Sequence, residues 1–343
     1  MGRVRRQITS GKAYEVCFRA REGLPFVTNE LMNLVVNSVV ARKQHDDKVN
    51  ICHDIWNGSH AHMLLVALDA QNFFKFLGET QKEITEIIKR LLGIGQLNLW
   101  EGSPSVIEVL DLEAVIDRVA YFYANPAQDN LVNKIEKYPG VSSWSDFQRV
   151  DNTVDAAHTE NYPWLRLPSI PLLESPSLTH QQAIYHCQVL KKDNKHQHAL
   201  VRKPNLWMKC FGITEPEEVR EINRKIVERL RIREHEAEQL RKKLGKSVIG
   251  VDRLITQPIM KAHKPKKKDR KIYCISTIKE LRIRHIENFK QFCEKCRTCF
   301  EKWLVGDFNV EWPPGAFKPP IRPSYNILAA TIPKLTHFEF LSA

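Results

Sequence analysis

Two histidines one residue apart, His60 and His62, open the apolar run His60–Leu68. A tyrosine and an asparagine four apart, Tyr121 and Asn125, stand further along in Tyr121-Phe-Tyr-Ala-Asn125-Pro126. On a strand, side chains at i and i+2 leave the same face about 7 Å apart, which suits joint ligation of one metal ion. On a helix, residues four apart share a face. A cation on a phosphate oxygen, a phenol as nucleophile and a third polar ligand beside it are what cleavage of a single DNA strand through a phosphotyrosine requires.

Each part also has a plainer reading. With 13 histidines in 343 residues, about half a His-x-His pair arises by chance. The chain carries a second pair, His196-Gln-His198, in the polar stretch 191–198, where a solvated loop is expected. His60 and His62 differ in following the tight-turn signal Asn57-Gly58-Ser59 and in being anchored by Met63-Leu-Leu-Val-Ala-Leu68. Tyr121, with Val115, Val119 and Phe122, equally fits the core face of an amphipathic helix, and Asn125 before Pro126 fits a helix end. Tyr123 is the weaker nucleophile candidate, since it is two residues from Asn125 and faces elsewhere on a helix. Cys293-x-x-Cys296-x-x-Cys299 lies within helical spacing and lacks a fourth ligand, so buried or free thiols are expected there.

The elements that must position these residues follow from periodicity. Lys12–Ala20 alternates as a half-buried strand, and Thr28–Arg42 has helical spacing through Leu31, Leu34, Val35 and Val39. Lys48–Trp56 and His60–Leu68 read as a hairpin. Gln71–Leu92 reads as one long helix, or two broken near Gly78. Leu97–Trp100 and Val106–Leu110 read as a short strand pair, and Asp111 caps a helix from Leu112 through Tyr121. This order predicts the α+β class: an antiparallel sheet with packed helices over residues 1–150. Residues 151–178, rich in proline and serine, are expected to be a linker or extended wrap. A mostly helical, basic region is expected over 179–343, with a long charged helix at Glu215–Leu244, a strand at Ile272–Ser276 and a helix at Thr277–Leu304.

Net charge is +12, and it is unevenly placed. Residues 1–150 carry 17 Lys and Arg against 18 Asp and Glu, whereas residues 151–343 carry 35 against 22. A basic excess confined to one half points to a polyanion, and nucleic acid comes first. Lys264, Lys266, Lys267, Lys268, Arg270 and Lys271 form the densest basic cluster and are the candidate phosphate contacts. On Glu215–Leu244 the arginines interleave with glutamates, so a phosphate-binding helix and a self-paired charged helix are both open. No apolar run approaches a membrane span, the start Met1-Gly-Arg-Val-Arg-Arg lacks a signal-peptide core, and eight scattered cysteines do not make a disulfide framework. The expectation is a cytoplasmic protein with free thiols and no membrane contact.

Five segments in order, Ala13–Ala20, Gly58-Ser-His60-Ala-His62-Met-Leu-Leu, Leu99-Trp-Glu-Gly102, Tyr121–Pro126 with Leu131-Val132, and Tyr138-Pro-Gly-Val-Ser-Ser-Trp-Ser145, resemble the single-tyrosine HUH transposases. Within that group residues 10–147 resemble the REP-associated tyrosine transposases. The resemblance implies a ferredoxin-like sheet with the histidines on a central strand and Tyr121 as nucleophile on a following helix. It also implies Mg2+ or Mn2+ held by His60, His62 and Asn125. The expected activity is that of a single-strand DNA endonuclease and strand transferase working through a 5′-phosphotyrosine, on single-stranded or hairpin DNA, as a homodimer. The chain departs from the family where Ser59 replaces an asparagine, Ser103 a basic residue, and Ala127-Gln-Asp-Asn130 a basic and small segment. Those lost charges shift expected DNA contact toward the second half. They also leave a second reading, a catalytically inactive DNA- or RNA-binding regulator derived from a transposase. A third is a metal-dependent hydrolase without covalent catalysis.

Overall fold

The alternation and spacing of the first 110 residues build a β-α-β-β-α-β unit: β1 (Ala13–Arg19), α1 (Glu30–Asp47), β2 (Asn50–Asn57), β3 (His60–Val66), α2 (Ala70–Leu91) and β4 (Ser105–Val109). The computed structural model describes residues 6–165, 180–193, 196–263 and 272–319. The chain continues through α3 (Leu112–Gln128), α4 (Trp144–Arg149), β5 (His158–Pro163), α5 (His180–Asp193), β6 (Gln197–Arg202), α6 (Pro216–Lys243), α7 (Val251–Ile255), β7 (Cys274–Ile275) and α8 (Lys279–Leu304). Side-chain caps set the starts of the first three helices. Asn29, Asp69 and Asp111 accept from the backbone N–H three residues on, at 2.8 to 2.9 Å.

The sheet runs β5-β6-β2-β3-β1-β4-β7. Its central four strands are antiparallel throughout, and with their two helices they make the split β-α-β arrangement of a ferredoxin-like fold, as expected for the α+β class. Helices α1 and α2 cover one face, burying Val16, Phe18, Ile51, Met63 and Leu65. Helices α3 and α6 cover the other, burying Ile55, Leu64 and Val66. A strand covered on both faces has no side to leave polar, which is why Met63–Ala67 reads as an unbroken apolar run. Among the described residues no helix is long and apolar enough to cross a membrane.

Several local expectations are corrected. Leu97–Trp100 forms no strand. It makes one bridge, Trp100 to Ala20, because the indole N–H is drawn to Gln81 O and Thr85 Oγ1 on α2, at 3.1 and 2.8 Å. Helix α3 does not stop before Pro126 but runs through it to Gln128. Its end is held by Arg241 of α6, whose guanidinium donates to Ala127 O and to Asn133 Oδ1. Part of the expected linker is strand β5, paired antiparallel with β6 from His158 to Pro163. β6 joins the sheet beside β2 and β7 joins beside β4, both in parallel, so the sheet draws on both halves of the chain. His198, expected in a loop, is on β6 opposite Tyr162; the polar stretch misled because this outlying strand is only half-buried.

On α6 the seam Val219, Ile222, Ile226 and Leu230 is buried against α3, whereas Leu240 is exposed. Five of its six arginines are engaged with protein carboxylates. Arg229 pairs with Glu113, Arg231 with Glu136 and Glu234, and Arg233 with Asp117, while Arg220 and Arg224 pair along the helix itself. Pairing along the helix therefore accounts for Arg220 and Arg224 only; Arg229 and Arg233 tie the helix to α3, and Arg231 ties it to Glu136. All eight cysteines are free thiols, with Cys296 and Cys299 buried. Among the described residues no group of three or more His, Cys, Asp or Glu converges as a metal-ligand cluster.

Candidate active site

The register of the central strands places five side chains in two rows beneath α3. Arg19 lies opposite His60 and Cys17 opposite His62, so alternation puts Glu15, Cys17 and Arg19 of β1 on the face that carries the histidine pair. On the other side of β3, Asn57 lies opposite His60 and Ile55 opposite His62. The His60 and His62 rings are 5.3 Å apart, centroid to centroid. Helix α3 crosses above them. Phe122 stacks on His62 at 5.2 Å, and Tyr121 meets the same ring edge-on at 5.5 Å. Asn125, one turn later, reaches His60, where its side chain favours the protonated ring. His60, His62, Tyr121 and Asn125 thus come together. His62 and Asn125 are buried, while His60 and Tyr121 remain half-buried and form the accessible side of the group.

Burial, with the nearby His62 and Arg19, lowers the His60 pKa to about 3, so its imidazole is neutral at neutral pH and has a lone pair to offer. Burial raises the Tyr121 pKa against the opposing pull of Arg118. The guanidinium carbon of Arg118 sits 4.2 Å from the centre of the Tyr121 ring, a cation–π contact. His62 Nδ1 is 3.0 Å from Glu15 Oε1. Burial alone would raise the Glu15 pKa, but the His62 hydrogen bond and the Arg118 charge bring it below the usual value. The carboxylate is therefore ionised and accepts the Nδ1 proton.

The surroundings of His60 fit a bound cation. Two buried carboxamides, of Asn57 and Asn125, flank it, and the oxygen of the first, Asn57 Oδ1, has no hydrogen-bond partner. Asn57 Nδ2 is 3.4 Å from His60 Nε2 and Ser59 Oγ is 3.4 Å from His60 Nδ1. These contacts are too long for good hydrogen bonds, which leaves Asn125 as the side chain hydrogen-bonded to the ring. Two imidazoles with a carboxamide oxygen make a mixed nitrogen and oxygen set, which suits Mn2+ better than Mg2+.

Tyr123 is elsewhere. Its hydroxyl is fully buried between His53 Nδ1 (2.7 Å) and Ser143 Oγ (3.0 Å), and Trp144 packs edge-on against its ring at 5.0 Å. The serine–tryptophan segment thereby has a structural role in locking α3 over the sheet. The expected phosphate contacts Lys264, Lys266, Lys267, Lys268, Arg270 and Lys271 lie outside the described residues. The chain leading into them is placed: Gly23 N donates to His263 O (2.8 Å) and Leu24 N to Lys261 O (3.0 Å), beside the Gly58–Ser59 turn that begins β3. Sequence reasoning missed Glu15, Arg118 and Asn57. Glu15 had a legible signal, an acid inside an apolar strand; Arg118 had a fainter one, its place one helical turn before Tyr121.

Two solved structures are similar in fold. One is a REP-associated tyrosine transposase bound to a REP hairpin, at 16% identity and a TM-score of 0.37, covering 43% of this chain and 86% of that one. The other is a tRNA(His) guanylyltransferase from Saccharomyces cerevisiae, at 11% identity and a TM-score of 0.29, covering 37% of this chain and 64% of that one. No family model and no curated protein sequence matches the chain. Likeness this distant carries no functional argument, so the reading below rests on the site.

Proposed function

We propose that the protein is a metal-assisted single-strand DNA endonuclease and strand transferase in which Tyr121 becomes linked to a 5′-phosphate. The observation that carries this reading is the meeting of His60, His62 and Asn125 with Tyr121 across the β3–α3 contact. His60, His62 and Asn125 would hold a divalent cation, Mn2+ or Mg2+, which when bound polarises a phosphate oxygen and aligns the phosphorus for in-line attack. The Tyr121 oxygen forms the new bond to phosphorus, the bond to the 3′ oxygen breaks, and the phenolic proton ends on the released 3′-hydroxyl. Because the phosphotyrosine preserves the energy of the phosphodiester, attack by another 3′-hydroxyl reverses the step without a nucleotide cofactor. Arg118 favours the ionised phenol. The basic run Lys264–Lys271 would contact the phosphate backbone of a single-stranded or hairpin substrate.

Incubation with labelled single-stranded hairpin DNA and Mn2+ tests this. Wild type should give a denaturation-resistant protein–DNA band, and Tyr121→Phe should give none. Binding without cleavage by the wild type would replace the proposal with the inactive nucleic-acid-binding regulator. Cleavage that survives Tyr121→Phe would replace it with a non-covalent metal hydrolase.

A further inference from the structure

Glu15 is only 3% exposed, and both of its oxygens are engaged. Oε1 accepts from His62 Nδ1 at 3.0 Å and from Arg118 Nη2 at 2.5 Å, while Oε2 accepts from Arg118 Nε at 2.7 Å. The two-pronged contact fixes the plane of the guanidinium, and that same guanidinium lies over the Tyr121 ring. A continuous chain of contacts therefore runs from His62 on β3, through Glu15 on β1, to Arg118 and Tyr121 on α3.

We propose that Glu15 and Arg118 are a positioning pair. Glu15 holds His62 as the tautomer protonated at Nδ1, which leaves Nε2 free for a divalent cation, and Arg118, oriented by the same carboxylate, sets the Tyr121 ring beside that imidazole. An outer carboxylate on a ligating histidine fixes both ring orientation and tautomer. Lysine could not replace Arg118, since it lacks the planar fork that meets both oxygens and lies over the ring. The cation is taken from the function proposed above; the tautomer and the ring placement belong to the protein alone.

The test uses full-length, metal-free protein and nitrogen-15 NMR of the histidine rings, with the His62 signals identified by their loss in His62→Gln. Wild-type His62 should be protonated at Nδ1. The double variant Glu15→Leu with Arg118→Met removes both charges at similar volume, avoiding an unpaired buried ion, and circular dichroism checks that it folds. It should lose the tautomer preference and bind Mn2+ about 10–100-fold more weakly, by calorimetry. Arg118→Lys should keep the tautomer and the Mn2+ affinity but slow adduct formation by about tenfold without changing KM, as a misplaced nucleophile would. A wild-type His62 protonated at Nε2 instead, or a folded double variant with wild-type tautomer and Mn2+ affinity, overturns the proposal. Adduct formation by Arg118→Lys at the wild-type rate overturns its Arg118 half. If wild type forms no adduct on any DNA, the nuclease reading fails while the tautomer measurement still decides the positioning pair.

Discussion

His60 and His62 lie on β3 in the middle of the sheet, whereas His198 lies on β6, one strand in from the β5 edge, and His196 immediately precedes it. The spacing is identical and both pairs belong to a strand or its mouth, so spacing alone does not separate them. What differs is the layer opposite. Above β3 stands α3, bringing Tyr121 and Asn125, and beside His62 is a buried carboxylate that orients the ring. Beside β6 the neighbours are His45, 5.0 Å from His198, and Trp164, 6.2 and 6.3 Å from His198 and His196. Burial, His45 and Arg42 lower the His198 pKa against the opposing pull of Asp46 and Glu83, and among the described residues no carboxylate is hydrogen-bonded to either ring. A ligand pair is completed by the element packed over the strand, which lies far away in sequence.

The most drastic way to break this comparison is metal binding itself. Calorimetric titration with Mn2+ should show one site in wild type, lost in His62→Ala, and a wild-type isotherm for the double variant His196→Ala with His198→Ala. Removing one of two imidazoles would take away a ligand of the proposed ion, whereas the β6 pair has no hydrogen-bonded carboxylate to orient it. Equal loss in both variants would mean that the β6 pair also contributes to the bound ion, and the contrast drawn above would collapse.

A third histidine sharpens the same contrast through acid stability. His53 lies on β2 beneath α3, fully buried, with Nδ1 on Tyr123 and a backbone hydrogen bond at Pro204 that opposes the effect of burial. Burial lowers its pKa to about 3, against about 6.5 in the unfolded chain. Between those values the unfolded chain binds a proton that the folded one refuses. Its contribution is thus fully present above about pH 6.5 and is lost progressively as pH falls through 3, about 5 kcal/mol in all. Chemical denaturation of His53→Asn at pH 7 and pH 4 should show a smaller drop than wild type. His198→Asn should leave the wild-type drop nearly intact. Equal drops in wild type and His53→Asn would mean that the ring is protonated in the native state.

How much of this was legible follows from where the signals sit. The hairpin, the four central strands and the helix carrying Tyr121 could be read because their periodicity is local, as in the cap at Asp111 and the turn at Gly58. The His60, His62, Tyr121 and Asn125 grouping could be read because each pair obeys a strand or helix spacing. Glu15 stood out as an acid inside an apolar strand, but its role was hidden because its partners, His62 and Arg118, are 47 and 103 residues away. The continuation of α3 through Pro126 was hidden for the same reason: the local rule for the residue before proline gave way to α6, whose Arg241 satisfies the last turn from 114 residues away. β5 and β6 were missed because strands near a sheet edge bury little and so carry little apolar alternation.

The smallest expected effect separates two arginines on one helix. Arg241 is 4% exposed and donates to Ala127 O and Asn133 Oδ1 at the end of α3, whereas Arg224 is an exposed residue pairing with Glu221 and Glu228 along α6. Arg241→Ala leaves a buried carbonyl without its donor and frees the turn that follows Asn125. A loss of roughly 1.5–3 kcal/mol is expected from the charged hydrogen bonds. Arg224→Ala removes a pair screened by solvent and should leave stability close to wild type. Urea unfolding of the two variants measures both. The Arg241 variant should also bind Mn2+ more weakly, because the turn it holds begins at Asn125, while the Arg224 variant should bind as wild type. Equal Mn2+ affinity in both would mean that Asn125 is placed by α3 alone, with no help from the second half of the chain.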